Sequence, residues 1–225
     1  KDNIAICGYH GWHDWYLSAN HNGGDDLSNH LIPGLSPKGV PKNLKNSVFP
    51  FHYNNYEELV DIVEKNNIGV IKMEVLRNFG PEDNFLQKIR DLATKKNIVL
   101  IFDECSSGFR EAFGGIFKKY NVEPDMAMFG KTLGNGYAIT AVVGKKSVME
   151  AAQNTFISST FWTERIGPTA ALATLKVMER EKSWDKITAT GKKMQKVWLK
   201  LAEANNLDIT VSGIPALTTY TFNND

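Results

Sequence analysis

Two short apolar runs, each ending next to a charged residue, limit the folds open to this chain. Residues 98–102 are apolar and stop at Asp103, and residues 126–129 stop at Gly130 and Lys131. Apolar runs of this length are typical of buried strands in a parallel sheet. Ligands bind beyond the carboxyl ends of the strands in such sheets. The pattern therefore predicts that Asp103 and Lys131 lie together at one edge of a sheet.

The rest of the chain alternates between predicted strands and helices, without internal repeats or low-complexity segments. Residues 17–50 are the exception, because they are rich in Asn, Gly, Pro and Ser and are predicted to form a long irregular excursion. Alternating strands and helices favour an α/β fold. Further strands are predicted at 4–7, 68–75, 138–143 and from 207, and helices at 56–65, 81–96, 148–153, 167–180 and 184–204.

Composition limits the partners that this chain can have. Its 225 residues are enough for one or two domains, and 26 basic against 25 acidic residues give a net charge of +1. This balance does not favour nucleic acid or acidic membrane surfaces, and no apolar run approaches the ~20 residues that span a bilayer. The two cysteines, Cys7 and Cys105, indicate no disulfide framework, so we expect a reducing, cytoplasmic location.

Asp103 and Lys131 suit one kind of cofactor. An amine can form a Schiff base with the aldehyde of pyridoxal phosphate (PLP), and a carboxylate can keep its pyridine nitrogen protonated. Apolar residues before Lys131 would lower the pKa of its amine by desolvation, and glycines after it would let a bulky cofactor approach. The alternatives are a surface lysine and an aspartate that caps a helix. Glu104 is expected to face local backbone or a basic neighbour such as Arg110.

Tyr9 and His10 lie between two glycines after the first predicted strand. An aromatic ring at this place can stack on a cofactor ring, a contact of about 1 kcal/mol, or it can be an ordinary rim aromatic. His10, His13 and His21 also cluster near Cys7 in sequence. Their spacing matches no strong ligand pattern, so we expect no metal site.

Hydroxyl side chains at 158–160 precede a helix predicted to begin near Gly167. Hydroxyls close to a helix start can hold an anion such as a phosphate. They can equally act as ordinary helix caps, and the segment alone does not separate the two interpretations.

Taken together, these segments resemble the class III PLP-dependent aminotransferases, above all the glutamate-1-semialdehyde 2,1-aminomutase branch. Lys131 follows Asp103 by 28 positions, a separation within the signature of that family. The resemblance implies the large domain of a fold type I PLP-dependent transferase, with a mostly parallel central sheet flanked by helices. The residues that carry it are 9–11, Glu74, 102–110, 123–125, 130–131, 159–160 and 170–175.

The resemblance also implies roles for individual residues. Lys131 would form the Schiff base and move the proton in catalysis, and Asp103 would pair with the pyridine nitrogen. The remaining implied cofactor contacts come from the loop 9–11, the segment after Asp103 and a hydroxyl near 160. Tyr9, in the loop that it forms with His10 and Gly11, would stack on one ring face, and Cys105 would pack on the other. Ser106 would lie near the phenolic oxygen. Thr160 would bind the phosphate across a homodimer interface. Glu74 would lie on the substrate side.

Several departures from the family pattern affect these expectations. Phe-Trp-Thr-Glu-Arg follows Thr160 where the family often has Gly-Asn-Pro, and Val75 follows Glu74 in place of proline. The phosphate-binding segment of the family lies upstream of residue 9 and is not in this chain. We therefore expect a chain truncated at both ends, with residues 1–205 as the large domain and 206–225 as the beginning of a C-terminal small domain.

The predicted function is amino transfer between an amine donor and an aldehyde or keto acceptor. Two alternatives use the same residues: an intramolecular aminomutase, and a non-catalytic PLP-binding homologue. A third, a nucleotide-binding α/β domain, would need a glycine-rich phosphate loop after the first strand, and residues 8–11 match that loop poorly.

Overall fold

The computed structural model describes residues 1–30, 33–76 and 78–223, except the side chain of Asn22. Within these residues a six-stranded sheet forms the centre of the molecule. Its strands are β1 (Asn3–Cys7), β2 (Val48–Pro50), β3 (Ile68–Glu74), β4 (Val99–Asp103), β5 (Met126–Phe129) and β6 (Ala141–Gly144). They are ordered β2-β1-β3-β4-β5-β6, and neighbours are parallel except β5 and β6, which are antiparallel. This confirms the predicted α/β fold with its mostly parallel sheet.

Helices connect the strands. The α-helices are α1 (Asp14–Leu17), α2 (Tyr56–Lys65), α3 (Phe85–Lys96), α4 (Lys146–Met149), α5 (Ile166–Glu181) and α6 (Ser183–Ala204). Short 3-10 helices cover Ser18–Asn22, Lys42–Leu44, Ile116–Tyr120, Lys131–Leu133, Glu150–Asn154 and Pro215–Leu217. Within the part of the chain that is described, no helix has the length and apolar character needed to cross a membrane.

The sheet is buried on both faces because alternate residues of a strand point to opposite sides. In β1, Ala5 and Cys7 pack in one apolar cluster with α2 and α3, whereas Ile6 packs in another with Tyr16. A third cluster joins β5 to α5 through Phe129 and other apolar side chains. Burial on both faces explains why these strands have continuous apolar runs rather than alternating patterns.

The local sequence explains why α2 lies where it was predicted. The side chain of Asn55 accepts a hydrogen bond from Glu58 N at 3.2 Å and so caps the first turn. Leu59 and Val63, four positions apart, are buried on one face of the helix. On the exposed side, Lys65 and Asp61 form an i, i+4 ion pair at 2.7 Å.

Other boundaries differ from those predicted. The excursion at 17–50 contains an unpredicted strand, β2, which has three residues and pairs only with β1. The helix predicted from 81 begins at Phe85, and the helix predicted at 148–153 is a short α-helix followed by a 3-10 turn. The strand predicted at 138–143 is β6, at Ala141–Gly144.

A separate two-stranded antiparallel sheet follows α6 in the chain. It consists of β7 (Ile209–Ser212) and β8 (Thr219–Phe222). The connection between these strands packs closely on α6, where a Cβ added at Gly191 would lie 1.9 Å from the carbonyl oxygen of Pro215. Gln195 Nε2 also donates to Thr218 Oγ1 at 2.9 Å. The connection of the hairpin is therefore packed on the long helix, and its Ile214 also belongs to the apolar cluster that includes Ala5 and Cys7 of β1.

Candidate active site

The strand order brings Asp103 and Lys131 to the same edge of the sheet. Asp103 is the last residue of β4, and Lys131 follows the adjacent parallel strand β5 by two positions. Both line a cavity of about 270 Å³ beyond these strand ends. Other residues predicted for the site also line this cavity: Tyr9, His10, Gly11, Cys105 and Ser106. The structure thus brings most of the predicted site together around one space.

Asp103 receives several donors at once. His10 Nδ1 lies 3.0 Å from Asp103 Oδ2, Lys72 Nζ lies 3.3 Å from the same oxygen, and Cys105 N donates to Oδ1 at 3.2 Å. Burial alone would raise the pKa of this carboxyl, but the His10 hydrogen bond and the Lys72 charge outweigh it and hold the pKa well below its usual range. Asp103 is therefore ionised at neutral pH.

His10 orients this carboxylate. Its side chain is fully buried, and its ring lies edge-on to that of Tyr16. Burial lowers the pKa of His10 more than the hydrogen bond to Asp103 raises it, so the imidazole is neutral at pH 7. In the neutral tautomer that fits this contact, Nδ1–H donates to Asp103.

Lys131 lies on a turn with an unusual backbone. Its φ is +42°, in the left-handed region that L-residues seldom adopt, and such conformations concentrate at functional sites. Its Nζ donates to Ser106 Oγ at 2.5 Å. Among the described residues the Lys131 side chain is exposed. The expectation that apolar neighbours shield its amine from water is therefore wrong. The turn instead aims the amine along the cavity rim toward Ser106.

The loop from Gly8 to Gly11 carries Tyr9 into the cavity wall. Both glycines have positive φ, +110° and +94°, and a Cβ at Gly8 would lie 2.5 Å from Glu74 Oε2. Tyr9 N donates to that Glu74 oxygen at 3.1 Å, and Gly8 N donates to His30 Nδ1 at 2.8 Å. Burial, followed by the charges of nearby histidines, lowers the pKa of His30 to about 4, so it remains a neutral acceptor. The loop is thus held from two sides.

Glu74 lies outside the cavity that holds Asp103 and Lys131. It is buried and borders a neighbouring cavity of about 480 Å³ together with His30, His52 and Tyr53. Its hydrogen bond to Tyr9 N shows that it supports the loop from Gly8 to Gly11. The family resemblance implies that Glu74 lies on the substrate side. Nothing in the sequence predicted its contact with the backbone of the loop.

Thr160 is exposed and does not line the cavity. It lies in a turn where Phe161 N donates to Ser159 Oγ at 3.2 Å. The start of α5 is capped by Glu164, which accepts from Ile166 N and, at 3.0 Å, from Gly167 N. The interpretation of residues 158–160 as helix caps is therefore wrong, and their role in binding an anion stays a prediction.

Glu104 faces local groups, which is one of the two predictions made for it; the other was a basic neighbour such as Arg110. It is completely buried, and its Oε1 accepts from Phe117 N at 3.1 Å while Oε2 accepts from Ser107 Oγ at 2.5 Å. Burial raises the pKa of this carboxyl. Arg110 does not pair with it, because the guanidinium donates to Ser106 O at 2.6 Å. Glu104 therefore fastens the segment after β4.

Lys72 is a site residue that the sequence did not reveal. It lies in β3 and lines the cavity, and it was not among the predicted site residues. The available signal was its charge within an otherwise apolar strand, since lysine is seldom buried without a partner. That partner, Asp103, lies 31 positions further along the chain.

The sequence cluster of histidines does not converge in space on a metal site. His10 contacts Asp103, and the ring of His13 stacks on that of Trp15 with centroids 6.0 Å apart. In the described ranges, no three His, Cys, Asp or Glu side chains are grouped so that they could hold a metal ion.

The sequence of this chain was compared with those of known protein families and of curated proteins. The model of the family described as aminotransferase class-III matches residues 9–222. The 3-aminobutyryl-CoA aminotransferase of Cloacimonas acidaminovorans is 35% identical over all of this chain and 52% of its own length. A glutamate-1-semialdehyde 2,1-aminomutase of Methanococcoides burtonii is 31% identical over 93% of this chain and 51% of its own length. The chain thus spans about half the length of these relatives.

Solved structures show the same fold. The FumI protein of Sphingopyxis sp. MTA144, solved with PLP, superposes with a TM-score of 0.85 and 21% identity, over 100% of this chain and 53% of that one. An omega-transaminase from Sphaerobacter thermophilus gives a TM-score of 0.80 and 22% identity, over 96% of this chain and 52% of that one. At this identity the likeness supports the fold.

Proposed function

The chain belongs to the class-III aminotransferase family, and from this premise we propose that it forms the cofactor-binding part of a PLP-dependent aminotransferase. The enzyme would move an amino group from an amine donor to an aldehyde or keto acceptor. The observation that carries the proposal is the meeting of Asp103 and Lys131 in one cavity beyond adjacent strand ends. A carboxylate and an amine that line one small cavity suit the ring nitrogen and the aldehyde of a substituted pyridine aldehyde.

The residues present fit PLP. Asp103 is an ionised carboxylate that lines the cavity, and a protonated ring nitrogen is a cation with which such a carboxylate can pair. Burial, the charge of Asp103 and a hydrogen bond to it raise the pKa of the Cys105 thiol to about 11, so the thiol presents a neutral surface. Tyr9 offers an aromatic ring in the cavity wall. Each feature supports the roles that the resemblance implies.

When bound, PLP would supply an aldehyde that captures amines and a ring that withdraws electrons from the reacting carbon. Asp103 would hold the proton on the ring nitrogen, and His10 would keep the carboxylate oriented. Lys131 Nζ would be the amine that holds the aldehyde group of PLP, and when freed by an amine substrate it would serve as the acid/base group beside the reacting carbon. Ser106, which already accepts a hydrogen bond from Lys131, would keep that amine at the cavity rim.

Intramolecular amino transfer is the second candidate, because several relatives at 31–37% identity are glutamate-1-semialdehyde 2,1-aminomutases. We favour the transaminase, since the relative named 3-aminobutyryl-CoA aminotransferase matches the whole chain at 35% identity. An added amino donor separates the two: a transaminase needs one for repeated turnover, whereas a mutase does not.

The proposal includes a homodimer with shared active sites. Before α5, large apolar side chains are unusually exposed, among them Phe156 at 96% and Trp162 at 69%. Exposed apolar groups of this size mark interaction surfaces. Thr160 lies in the same segment, so a second copy docked here could carry its hydroxyl to the phosphate of a neighbouring site.

The remaining finer assignments are also part of the proposal. We assign residues 1–205 to the large domain and residues 206–225 to the beginning of a small domain, supported by the separate hairpin sheet after α6. Glu74 is proposed to lie toward the substrate, since it borders the adjoining cavity. Cys7 and Cys105 are free thiols, which suits a cytoplasmic location.

The test of the proposal is a half-reaction with the full-length protein. Loaded with PLP and given an amine donor without any acceptor, it should release about one equivalent of carbonyl product per site, as ping-pong transfer requires. Release of product that continues without an acceptor would contradict a transaminase. A protein that binds PLP but releases nothing with any of a panel of amines would be a non-catalytic homologue.

A further inference from the structure

Lys72 has the surroundings of a functional residue rather than those of a surface lysine. It lies in β3, between β1 and β4 in the sheet, and its side chain is only 10% exposed. Its ammonium group lies 5.4 Å from the centre of the Trp15 ring, a cation–π contact, and 3.3 Å from Asp103 Oδ2. Its side chain also lines the cavity that Asp103 and Lys131 share. The cavity is therefore lined by two amines, those of Lys72 and Lys131, and by the Asp103 carboxylate.

The charges around Asp103 make this arrangement consequential. His10 is neutral, so the ion pair between Lys72 and Asp103 brings the local net charge to about zero. A protonated ring nitrogen would add a second cation to a carboxylate that already has one. Two like charges that share a carboxylate repel each other. Lys72 would therefore reduce the hold of Asp103 on a ring cation.

A purely structural role for Lys72 is the alternative. Breaking a buried ion pair leaves an uncompensated charge and destabilises a fold, whatever binds nearby. A structural role would weaken the binding of every ligand of the cavity to the same extent. A role toward the ring nitrogen would act only on ligands that carry that nitrogen. This difference separates the two.

We propose that Lys72 is a positioning residue that shares the Asp103 carboxylate with the cofactor ring nitrogen and so sets how strongly that nitrogen is held as a cation. The inference rests on the proposed function and assigns a residue to the same site. It predicts that the site contains a built-in competitor for the ring cation. Lys72 acts through Asp103 and requires no bond to cofactor or substrate.

The experiment compares two ligands in one variant. Dissociation constants of the full-length protein are measured by equilibrium dialysis for PLP and for its 1-deaza analogue, in which C–H replaces the ring nitrogen. Effects on folding and on phosphate binding change both constants alike and cancel in their ratio. In the Lys72→Met variant, the preference for PLP over the analogue should rise about tenfold, the effect of removing one neighbouring unit charge. Lys72→Gln serves if the Met variant does not fold.

Two controls bracket this result. Lys72→Arg keeps the charge and should keep the preference of the natural protein to within about twofold. Lys95→Met removes an exposed lysine of α3 and should leave the preference unchanged.

A preference that stays constant or falls in Lys72→Met, while the natural protein binds PLP, would overturn the role of Lys72 alone. Failure of the natural protein to bind PLP would overturn both this inference and the proposed function.

Discussion

At the scale of single residues, Asp103 is where sequence and structure contribute different information. A carboxylate after an apolar run was enough to predict its location and its need for a partner. Its actual neighbours are His10, in the loop after β1, and Lys72, within β3, which lie 93 and 31 positions away in the chain. Such partners depend on strand order, which local patterns do not encode, and they decide the ionisation of the carboxylate.

The first prediction concerns this carboxylate. Asp103→Asn keeps the size of the side chain but removes its charge, so the ring nitrogen would lose the partner of its proton. Loss of a buried charge partner costs about 3–5 kcal/mol, which corresponds to a rate loss of about 10³-fold. PLP should still bind. Turnover and bound PLP per chain are the measurements, and a rate within tenfold of the natural protein would contradict the role of Asp103.

Asp125 provides the matched control for this variant. It lies just before β5, at the opposite end of that strand from Lys131, and pairs with Arg90 and Lys145 at 2.9 and 2.8 Å without lining the cavity. Asp125→Asn should lower stability and leave turnover per folded enzyme nearly unchanged.

At the scale of elements, the sequence predicted best where local signals agreed. Helix 56–65 and strand 126–129 have the predicted bounds, because a capping asparagine and apolar spacing define the first and a short apolar run the second. Strand β2 was missed because it has only three residues, one of them proline, which is tolerated at a sheet edge. The antiparallel direction of β6 depends on the path of the chain, which its composition does not record.

The loop 8–11 shows why the site itself was only partly predictable. Two glycines flanking Tyr9 and His10 indicated a special backbone, and both have positive φ. No sequence pattern predicted that Glu74 and His30 would accept hydrogen bonds from the backbone amides of this loop. Contacts between a side chain and a distant amide leave no pattern in residue spacing.

The second prediction tests this loop. Gly8→Ala places a Cβ 2.5 Å from Glu74 Oε2 at a φ of +110°, so the loop must shift and carry Tyr9 with it. The backbone strain alone costs about 1–3 kcal/mol. We expect lower stability and a further loss of PLP affinity in the folded protein. Denaturation midpoints and PLP dissociation constants measure the two effects.

Gly39→Ala is the control, because Gly39 has a φ of +90° but open space around its Cβ position. It should destabilise the protein by backbone strain and leave PLP affinity unchanged. Equal effects of the two variants on PLP affinity would contradict the function assigned to the loop.

At the scale of the whole molecule, we propose that this chain contributes one part of a shared active site. It spans about half the length of its relatives, and Lys131 is exposed. The apolar segment around Thr160 is exposed too, although the resemblance gives it a part in binding the cofactor. The proposed homodimer, in which a second copy completes the site, would explain both features.

The third prediction uses complementation between one impaired chain and one inactive chain at limiting PLP. Thr160→Val should weaken phosphate binding by about 1.5–3 kcal/mol and reduce activity at limiting PLP, whereas Lys131→Ala should abolish activity. If Thr160 acts across a two-fold interface, mixing the two full-length variants restores one intact site in each mixed dimer. Random mixing should then recover about a quarter of the natural activity. No recovery, with mixed dimers confirmed by mass, would place Thr160 and Lys131 of one chain in the same site or exclude Thr160.

The measurement that decides most is the identity of the lysine that captures PLP. The full-length protein is incubated with PLP, reduced with borohydride and mapped by peptide mass. We predict one pyridoxyl group per chain, attached to Lys131, absent from Lys131→Arg and retained in Lys72→Met. A label on Lys72 or on surface lysines, or no stoichiometric label at all, would contradict the assignment of Lys131 and with it the proposed chemistry.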